Sequence, residues 1–234
     1  MTEIWDGVRA AFWLVVQLDA DLIDITLRSL HVSLTALVIA CVIALPAGTW
    51  LAVRRFRFRR AAIATLNAFM GLPPVVVGLI VYLLLSRNGP FGVLGLLFTP
   101  TAMIIAQVII ITPLIMSITH QAMRELWAEY HDLLISLNTT RTQRIRTLLW
   151  DGRRALLTAA LAGFGRAIGE VGAIIIVGGN IDQVTRVLTT AIALETSKGD
   201  FALALGLGFV LIGLSLMVNY LTHSLSQTER SGRW

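Results

Sequence analysis

The sequence predicts an all-α polytopic membrane protein with five transmembrane helices. Of its 234 residues, 56% are hydrophobic and only 14% are charged, which is more apolar surface than a soluble domain of this length needs. Charge-free runs long enough to cross a hydrocarbon core of about 30 Å recur along the chain. A basic, amphipathic interruption at 124–154 separates the third run from the fourth.

The first 28 residues are predicted to form an external interfacial helix followed by an acidic linker. Apolar residues recur there at helical spacing with tryptophan among them, which is typical of a helix lying along a bilayer surface. This stripe consists of Ile4, Trp5, Val8, Phe12, Val15 and Val16. Asp19, Asp21 and Asp24 follow it and fit an external approach to the first span.

Residues 29–226 are predicted to form the transmembrane domain. Its spans are 29–53, 61–86, 93–123, 155–181 and 201–226. Gly71-Leu72-Pro73-Pro74 interrupts the second span about 15 Å from its start, at about 1.5 Å per residue. Two successive prolines remove two backbone donors, so the helix must kink or break at this depth. A packing kink and a role in a translocation pathway both remain open for Pro73 and Pro74.

The later part of the chain has its own interruptions. Pro100 and Pro113 lie within the long run 93–123, which favours a tilted or kinked span that extends into the cytoplasm. Residues 182–200 are predicted to be an external loop, with a partly re-entrant path as an alternative. Residues 227–234 are predicted to be a cytoplasmic tail.

The distribution of basic residues predicts the orientation in the cell (cytoplasmic, or inner) membrane. Of the 19 Lys and Arg residues, 13 fall in regions assigned to the cytoplasm: five in 54–60, six in 124–154, and Arg230 and Arg233. Five fall outside, and Arg166 lies within the fourth span. Because positive charge concentrates on the cytoplasmic side, the amino terminus should be outside and the carboxyl terminus inside.

Arg166 and Glu170 are charged residues within a predicted span. A charge at mid-bilayer costs about 2.5–3.5 kcal/mol on insertion scales, so both side chains should face protein or water. Their i, i+4 spacing predicts that they share one helix face and can neutralise each other. A structural ion pair and an anion route that Arg166 lines or gates both fit this pattern.

The interruption at 124–154 is predicted to form two short helices on the cytoplasmic face. Apolar residues recur at helical spacing in the first helix: Leu126, Tyr130, Leu133, Leu134 and Leu137. This helix should end at Asn138, which tolerates the left-handed conformation. Thr140 and Gln143 form a capping-box pair that should begin the second helix. Two helices joined in this way make a knob that another protein could grip, and a cytoplasmic loop without a partner is the alternative.

This knob resembles the coupling loop of ABC-importer permeases, whose pattern is Glu-Ala-Ala, three residues, Gly and a basic amphipathic helix. Asp132 stands at the position of the glutamate and Asn138 at that of the glycine, so a carboxylate and a turn-forming residue are kept. The resemblance implies a set of residues that contact the ATPase. These are Asp132, Leu133, Leu134, Leu137, Asn138, Thr140, Arg141 and Ile145.

A closer resemblance is to the molybdate and tungstate importer permeases. Arg166-Ala-Ile-Gly169-Glu170-Val-Gly172-Ala173 is similar to their Arg-Ala-Leu-Gly-Glu-Phe-Gly-Ala motif, and Leu72-Pro73-Pro74 to their Leu-Pro-Pro segment. The segments 177–181, 185–187 and 189–200 resemble the tungstate branch. The resemblance implies a type I ABC importer transmembrane domain. It also implies that Pro73, Pro74, Arg166 and Glu170 belong to the translocation pathway or gate.

The resemblance further implies the partners of the chain. A tungstate permease of this group is expected to work as a homodimer in membrane lipid, with two separate ATP-binding subunits and an external substrate-binding protein. ATP and Mg²⁺ belong to the ATPase, so no cofactor is expected in this chain, and no nucleic acid. Within the same class, the alternative is a permease for molybdate or another oxyanion.

Other classes of protein fit the sequence less well. The only lysine, Lys198, is followed by Gly199, so the chain has no Walker A motif and is not expected to be an enzyme. The four histidines show no metal-ligand spacing. A secondary transporter or channel would leave the knob at 124–154 unexplained. A DNA-binding helix-turn-helix held against a bilayer at both ends could hardly dock into a groove.

Overall fold

A computed structural model describes residues 19–54 and 56–231, together with Arg9, Trp13, Val16 and Gln17. Side chains of the last helix are described as far as Ser224. The interfacial helix predicted over 4–16 falls almost entirely outside the described residues, as does the end of the predicted tail at 232–234.

The regular secondary structure of the described residues is all helical, so the all-α prediction is confirmed. Its α-helices are α1 (Ala20–Val53), α2 (Arg59–Met70), α3 (Pro74–Leu85), α4 (Pro100–Ser136), α5 (Arg141–Asp151), α6 (Arg153–Ile168), α7 (Gly172–Gly178), α8 (Leu188–Lys198) and α9 (Phe201–Ser231). A short 3-10 helix, Gly92–Leu94, precedes α4.

Three of these helices are long and apolar enough to cross a membrane by themselves, namely α1, α4 and α9. Two further spans result if each bent pair counts as one, and those pairs are α2 with α3 and α6 with α7. The chain bends by 96° at the first break and by 60° at the second. The described residues therefore contain three to five candidate spans, a range that includes the five predicted.

The first span begins earlier than its charge-free run, at Ala20 rather than at residue 29. Asp19 caps the helix, because its Oδ1 accepts hydrogen bonds from the backbone N–H groups of Asp21 at 3.1 Å and Leu22 at 3.3 Å. Arg28 does not interrupt α1, since its guanidinium is paired with Asp24 at 2.6 Å on the same helix. Arg28 therefore marks the start of the charge-free run but not the start of the helix.

The prediction of a separate first helix at 124–137 is wrong. Residues 124–136 are the last turns of α4, which continues without interruption from Pro100 to Ser136. No glycine or proline separates Met123 from Ser136, so nothing in the sequence stops the helix when it leaves the apolar run. Pro100 occupies the first helical position, where its missing N–H costs little.

The segment predicted to be an external loop contains α8. Its first turn is fixed by Thr190, whose Oγ1 accepts a hydrogen bond from the Val187 N–H at 3.1 Å. Leu188 and Ala191 are fully buried, and they pack with Leu22, Ile25 and Leu207 in one hydrophobic core. This segment is therefore part of the packed structure.

The chain divides into two compact units. One comprises the described residues of Met1–Ala36, Pro73–Gln107 and Gly165–Met217, and its core is the cluster around Leu188. The other comprises the described residues of Leu37–Leu72, Val108–Phe164 and Val218–Trp234. Ala52, Met123, Leu148 and Leu156 form the core of this second unit.

Candidate functional site

The turn between α4 and α5 has the geometry that the sequence predicts. Asn138 adopts a positive φ of 48°, the left-handed conformation that ends a helix. Its N–H donates to the Ile135 carbonyl at 2.9 Å, and the Thr139 Oγ1 donates to the Leu134 carbonyl at 2.6 Å. These bonds satisfy the carbonyls left free at the end of α4.

The capping box that opens α5 is present as predicted. The Thr140 N–H donates to the Gln143 Oε1 at 2.7 Å, and the Gln143 N–H donates to the Thr140 Oγ1 at 3.4 Å. Two backbone donors that a helix start would leave unpaired are thus satisfied reciprocally.

α5 is fixed against the end of α4 by packing and by side-chain hydrogen bonds. Leu148 is fully buried in the core of the second unit. The Tyr130 hydroxyl donates to the Asp151 carboxylate at 2.6 Å, and the Arg144 Nε donates to the Thr139 Oγ1 at 3.1 Å. Residues 126–151, the central part of the knob predicted at 124–154, therefore form a packed element with its own contacts, hereafter the coupling knob.

The predicted coupling residues divide into exposed and supporting positions. Leu133 is 56% exposed and Leu137 is 64% exposed, so both offer apolar surface to a partner. The Asp132 side chain is fully exposed and pairs with His131 at 2.8 Å. Leu134 is 6% exposed, so it supports the turn from inside and offers no surface to a partner. Arg141 is exposed and Ile145 is half-buried.

Trp150 is an exposed feature of the coupling knob that the sequence analysis did not single out. It is 73% exposed, and the Arg153 guanidinium lies 5.3 Å from its ring centroid. The helical spacing of α5 places it beyond Leu148 and Leu149, so periodicity alone could have flagged it as the apolar residue left off the buried face.

The two broken spans meet at the helices that follow their breaks. A Cβ atom at Gly78 of α3 would lie 2.7 Å from the Cα of Ala173 in α7, closer than real contacts allow. A Cβ atom at Gly172 would lie 2.7 Å from the Cγ2 of Val75. Glycine at both positions therefore lets the backbones of α3 and α7 approach closely, and the structure brings the two predicted pathway segments together.

The prolines form the start of α3. Pro73 is the N-cap residue in an extended conformation, with ψ of 121°, and Pro74 is the first helical residue. Both lie where a missing N–H does not interrupt the helical hydrogen-bond ladder. α2 ends at Met70, so the break covers residues 71–73, and the predicted interruption of the second span is confirmed.

Arg166 and Glu170 pair with each other, as their spacing predicts, but the prediction that they lie on one continuous helix is wrong. α6 ends at Ile168, and Glu170 lies in the non-helical break before α7. The Arg166 Nη2 is 3.9 Å from the Glu170 Oε2, a long ion pair without a hydrogen bond. The Glu170 Oε1 instead accepts a hydrogen bond from the Ala173 N–H at 3.3 Å, so this carboxylate caps α7.

The two members of this pair differ in burial. The Glu170 side chain is 7% exposed, whereas the Arg166 side chain is 45% exposed. Thr189 of α8 donates through its Oγ1 to the Glu170 carbonyl at 2.9 Å. Glu170 is thus held inside the unit, while Arg166 extends from its surface.

Gln107 is a buried residue beside the break between α6 and α7, and its role could not be recognised from the sequence. It is 1% exposed, and its Nε2 donates to the Ala167 carbonyl at 3.0 Å and to the Ser33 Oγ at 3.4 Å. The Gln107 side chain therefore satisfies a carbonyl at the end of α6. The space it shares with Glu170 and Thr189 is too small for a water molecule. An amide side chain within a predicted span was the available signal, and Gln121 in the same charge-free run shares it.

No group of three or more His, Cys, Asp or Glu side chains in the described residues has a geometry that could hold a metal ion.

Comparison with known proteins identifies the family. The sequence profile of the binding-protein-dependent transport system inner membrane component matches residues 44–230, which is most of the chain. The chain belongs to this family. It is accordingly a multi-pass protein of the inner membrane, as its apolar helices predict.

Three relatives are similar to this chain over most of their length and of its own. The tungstate uptake system permease protein TupB of Peptoclostridium acidaminophilum is 39% identical over 227 residues, covering 97% of this chain and 100% of the relative. TupB of Campylobacter jejuni is 35% identical over 96% of the chain and 94% of the relative. A probable anion ABC transporter permease protein of Haloferax volcanii is 39% identical over 86% and 88%. The resemblance to ABC-importer permeases is confirmed.

Proposed function

We propose that this chain is the membrane-spanning permease subunit of an ABC importer that moves tungstate into the cell. The observation that carries the proposal is the similarity, over nearly the full length of the chain, to two proteins named as tungstate uptake permeases. The folded coupling knob supports the same conclusion, because a transporter driven by an external ATPase needs a structured contact for it.

The proposed topology has five spans, with α2–α3 and α6–α7 each forming one broken span. The amino terminus is external, and the coupling knob and the carboxyl terminus are cytoplasmic. Residues 1–28 form an external segment, 29–226 the transmembrane domain and 227–234 the tail. One side of α3 exposes Val75, Leu79, Ile80 and Leu83 to between 49% and 57%, which suits contact with lipid and with a second copy in a homodimer.

Two ATP-binding subunits grip the two coupling knobs of the dimer, and an external binding protein delivers the oxyanion. Asp132, Leu133 and Leu137 contact the ATPase directly, together with Thr140, Arg141 and Ile145. Asn138 and the buried Leu134 hold the turn in shape. ATP and Mg²⁺ bind to the partner, which supplies the free energy, so this chain acts as a transport subunit without enzymatic activity.

The gate lies at the two breaks that precede α3 and α7. Pro73 and Pro74 start α3 where it meets α7 through Gly78 and Gly172, so small movements of either half-helix open or close the packed contact. Arg166 offers a half-exposed cation to the dianionic substrate. The carboxylate of Glu170 is buried beside it and limits the positive charge without covering the guanidinium.

ATP hydrolysis in proteoliposomes tests the function. The chain is reconstituted with its ATPase and binding protein, and hydrolysis is measured with the binding protein empty or loaded with tungstate, molybdate or sulfate. Stimulation chiefly by the tungstate-loaded form is expected. An ATPase that never associates with this chain would remove the importer assignment.

A permease for another oxyanion is the second candidate. The relative from Haloferax volcanii is 39% identical to this chain, as is TupB of Peptoclostridium acidaminophilum, and its name specifies only an anion. Because the binding protein delivers the substrate, it determines more of the substrate selectivity than the permease does. Stimulation chiefly by molybdate or sulfate would keep the importer and replace the substrate.

A further inference from the structure

A cleft in the second unit carries positive charge that the proposed transport role does not use. Its volume is about 380 Å³. Arg59, Arg124, Trp127, His131 and Asp132 line it, together with the last residues of α1. Asp132 belongs to the coupling knob, so the cleft opens beside the contact proposed for the ATPase.

The Arg59 guanidinium is held in a fixed orientation at the cleft. Its Nε donates to the Leu51 carbonyl at 3.1 Å and its Nη2 to the Ala52 carbonyl at 3.4 Å, which caps the end of α1. The same Nη2 lies 3.4 Å from the His120 Nε2. These contacts occupy one edge of the guanidinium, and its Nη1 makes no hydrogen bond to a described residue.

Arg124 adds a second cation without an acidic partner. Among the described side chains, no carboxylate lies within 4.0 Å of the guanidinium of Arg59 or of Arg124, whereas Arg28, Arg166 and Arg186 each have one. Asp132 does not neutralise the cleft fully, because it is fully exposed and is engaged by His131 at 2.8 Å.

A third cation approaches the wall of the cleft. The Arg144 guanidinium lies 5.9 Å from the ring centroid of Trp127. Guanidinium groups that share a cleft without acidic partners create a positive potential there, and this potential attracts an anion. Arginine suits oxyanions in particular, because its planar fork of donors matches the oxygens of a phosphate-like group.

We propose that this cleft is an oxyanion-binding site in which Arg59 and Arg124 hold a tetrahedral anion beside the coupling knob. The shared chemistry is a phosphate-like group, supplied by an anionic lipid headgroup or by a free inorganic oxyanion. Basic pockets between membrane helices on the cytoplasmic side bind lipid phosphates. Only the cytoplasmic location of the site depends on the proposed topology. The concentration of the anion in the cytoplasm, or of the lipid in the inner leaflet, would then determine how often an anion lies beside the part of the chain that contacts the ATPase.

Binding to the full chain tests the site without any transport partner. Wild-type chain is placed in phosphatidylcholine nanodiscs, and equilibrium dialysis measures its affinity for inorganic phosphate and for tungstate. In a second assay, native mass spectrometry counts phosphatidylglycerol molecules retained by chain purified in detergent. The test variant is Arg124→Gln, because this guanidinium makes no described hydrogen bond or ion pair whose loss would disturb the fold. Arg60→Gln is the matched control, since it removes the same charge at an exposed position outside the cleft.

A free-anion site is supported if Arg124→Gln weakens phosphate or tungstate binding about tenfold, while Arg60→Gln leaves it unchanged. A lipid site is supported if only phosphatidylglycerol retention is lost in Arg124→Gln. Arg124→Lys is expected to keep part of the binding, and its unfolding temperature checks that the fold is intact. The proposal is overturned if neither ligand binds, or if Arg124→Gln and Arg60→Gln behave alike. Failure of the transport experiment would leave these outcomes unaffected.

Discussion

At the scale of single residues, the most consequential observation is the unequal burial of Arg166 and Glu170. A buried carboxylate whose cation stands 3.9 Å away would be costly if the pair were its only support. Glu170 has another, since it accepts the Ala173 N–H and caps α7. Its role in the fold therefore does not depend on Arg166, which leaves the guanidinium free for the contact with substrate that we propose.

Replacing Arg166 separates a pathway role from a structural one. We expect Arg166→Ala to lower tungstate transport at least about tenfold, because one charge-assisted contact to the anion is lost. The unfolding temperature should change little, since the side chain is 45% exposed. Transport into proteoliposomes and thermal unfolding measure the two effects, and Arg60→Ala is the matched control at an exposed site.

The double variant Arg166→Met with Glu170→Gln sharpens this prediction. Glutamine keeps an acceptor for the Ala173 N–H, so the cap survives while both charges disappear. A pathway role predicts that the double variant transports as poorly as the single one. Recovery of transport in the double variant would instead identify the pair as a structural one.

Sequence reasoning found the charged residues of this site but not the uncharged ones. Arg166 and Glu170 stand out because ionised groups are rare within a span. Gln107, Ser33 and Thr189 carry no such signal, because hydroxyl and amide side chains in apolar runs are common and their partners come from distant helices. Glu170 was also assigned to a continuous helix, since i, i+4 spacing cannot reveal a break between the two positions.

At the scale of elements, the coupling knob was the most predictable part of the chain. A left-handed residue and a reciprocal capping box are local features, so Asn138, Thr140 and Gln143 could be assigned from their spacing alone. The continuity of α4 was not predicted. A drop in hydropathy after Met123 marks a change of surroundings and carries no information on where the backbone turns.

Asn138 allows a test of the turn with two opposite substitutions. Asn138→Gly should keep ATPase binding and coupled transport, because glycine adopts a positive φ freely. Asn138→Val should weaken ATPase binding about tenfold, because a β-branched residue at φ of 48° costs about 1–2 kcal/mol and the turn must change. Pull-down of the ATPase subunit measures binding, and both variants should insert normally into the membrane. Equal ATPase binding by both variants would show that the shape of this turn is not needed for the contact with the ATPase.

At the scale of the whole molecule, the orientation rests on basic residues and is open to direct measurement. On a Cys41→Ala background, Asn88→Cys should react with a membrane-impermeant maleimide added to intact cells. Thr142→Cys in the coupling knob should react only after the membrane is permeabilised, because we expect it in the cytoplasm. The reversed labelling pattern would invert the proposed topology and detach the knob from a cytoplasmic ATPase.

Hydropathy predicted the all-α class and the approximate position of each apolar segment, and the double proline predicted the first break. The second break, at 169–171, lacks a proline and was invisible for that reason. The meeting of α3 with α7 was equally hidden. It depends on Gly78 and Gly172, which look like ordinary small residues until the backbones around them are packed.

The continuity of α4 has a mechanical meaning. Its 37 residues form a rod about 55 Å long, which carries Gln107 near one end and Asp132 near the other. A continuous helix has no flexible joint, so a force on the part that carries Asp132 is transmitted along the helix as far as Pro113. Pro113, the one proline inside this helix, breaks a single hydrogen bond of the ladder and is the natural place for the rod to flex. Residues 114–136 of this helix therefore act as one stiff lever that ends in the coupling knob.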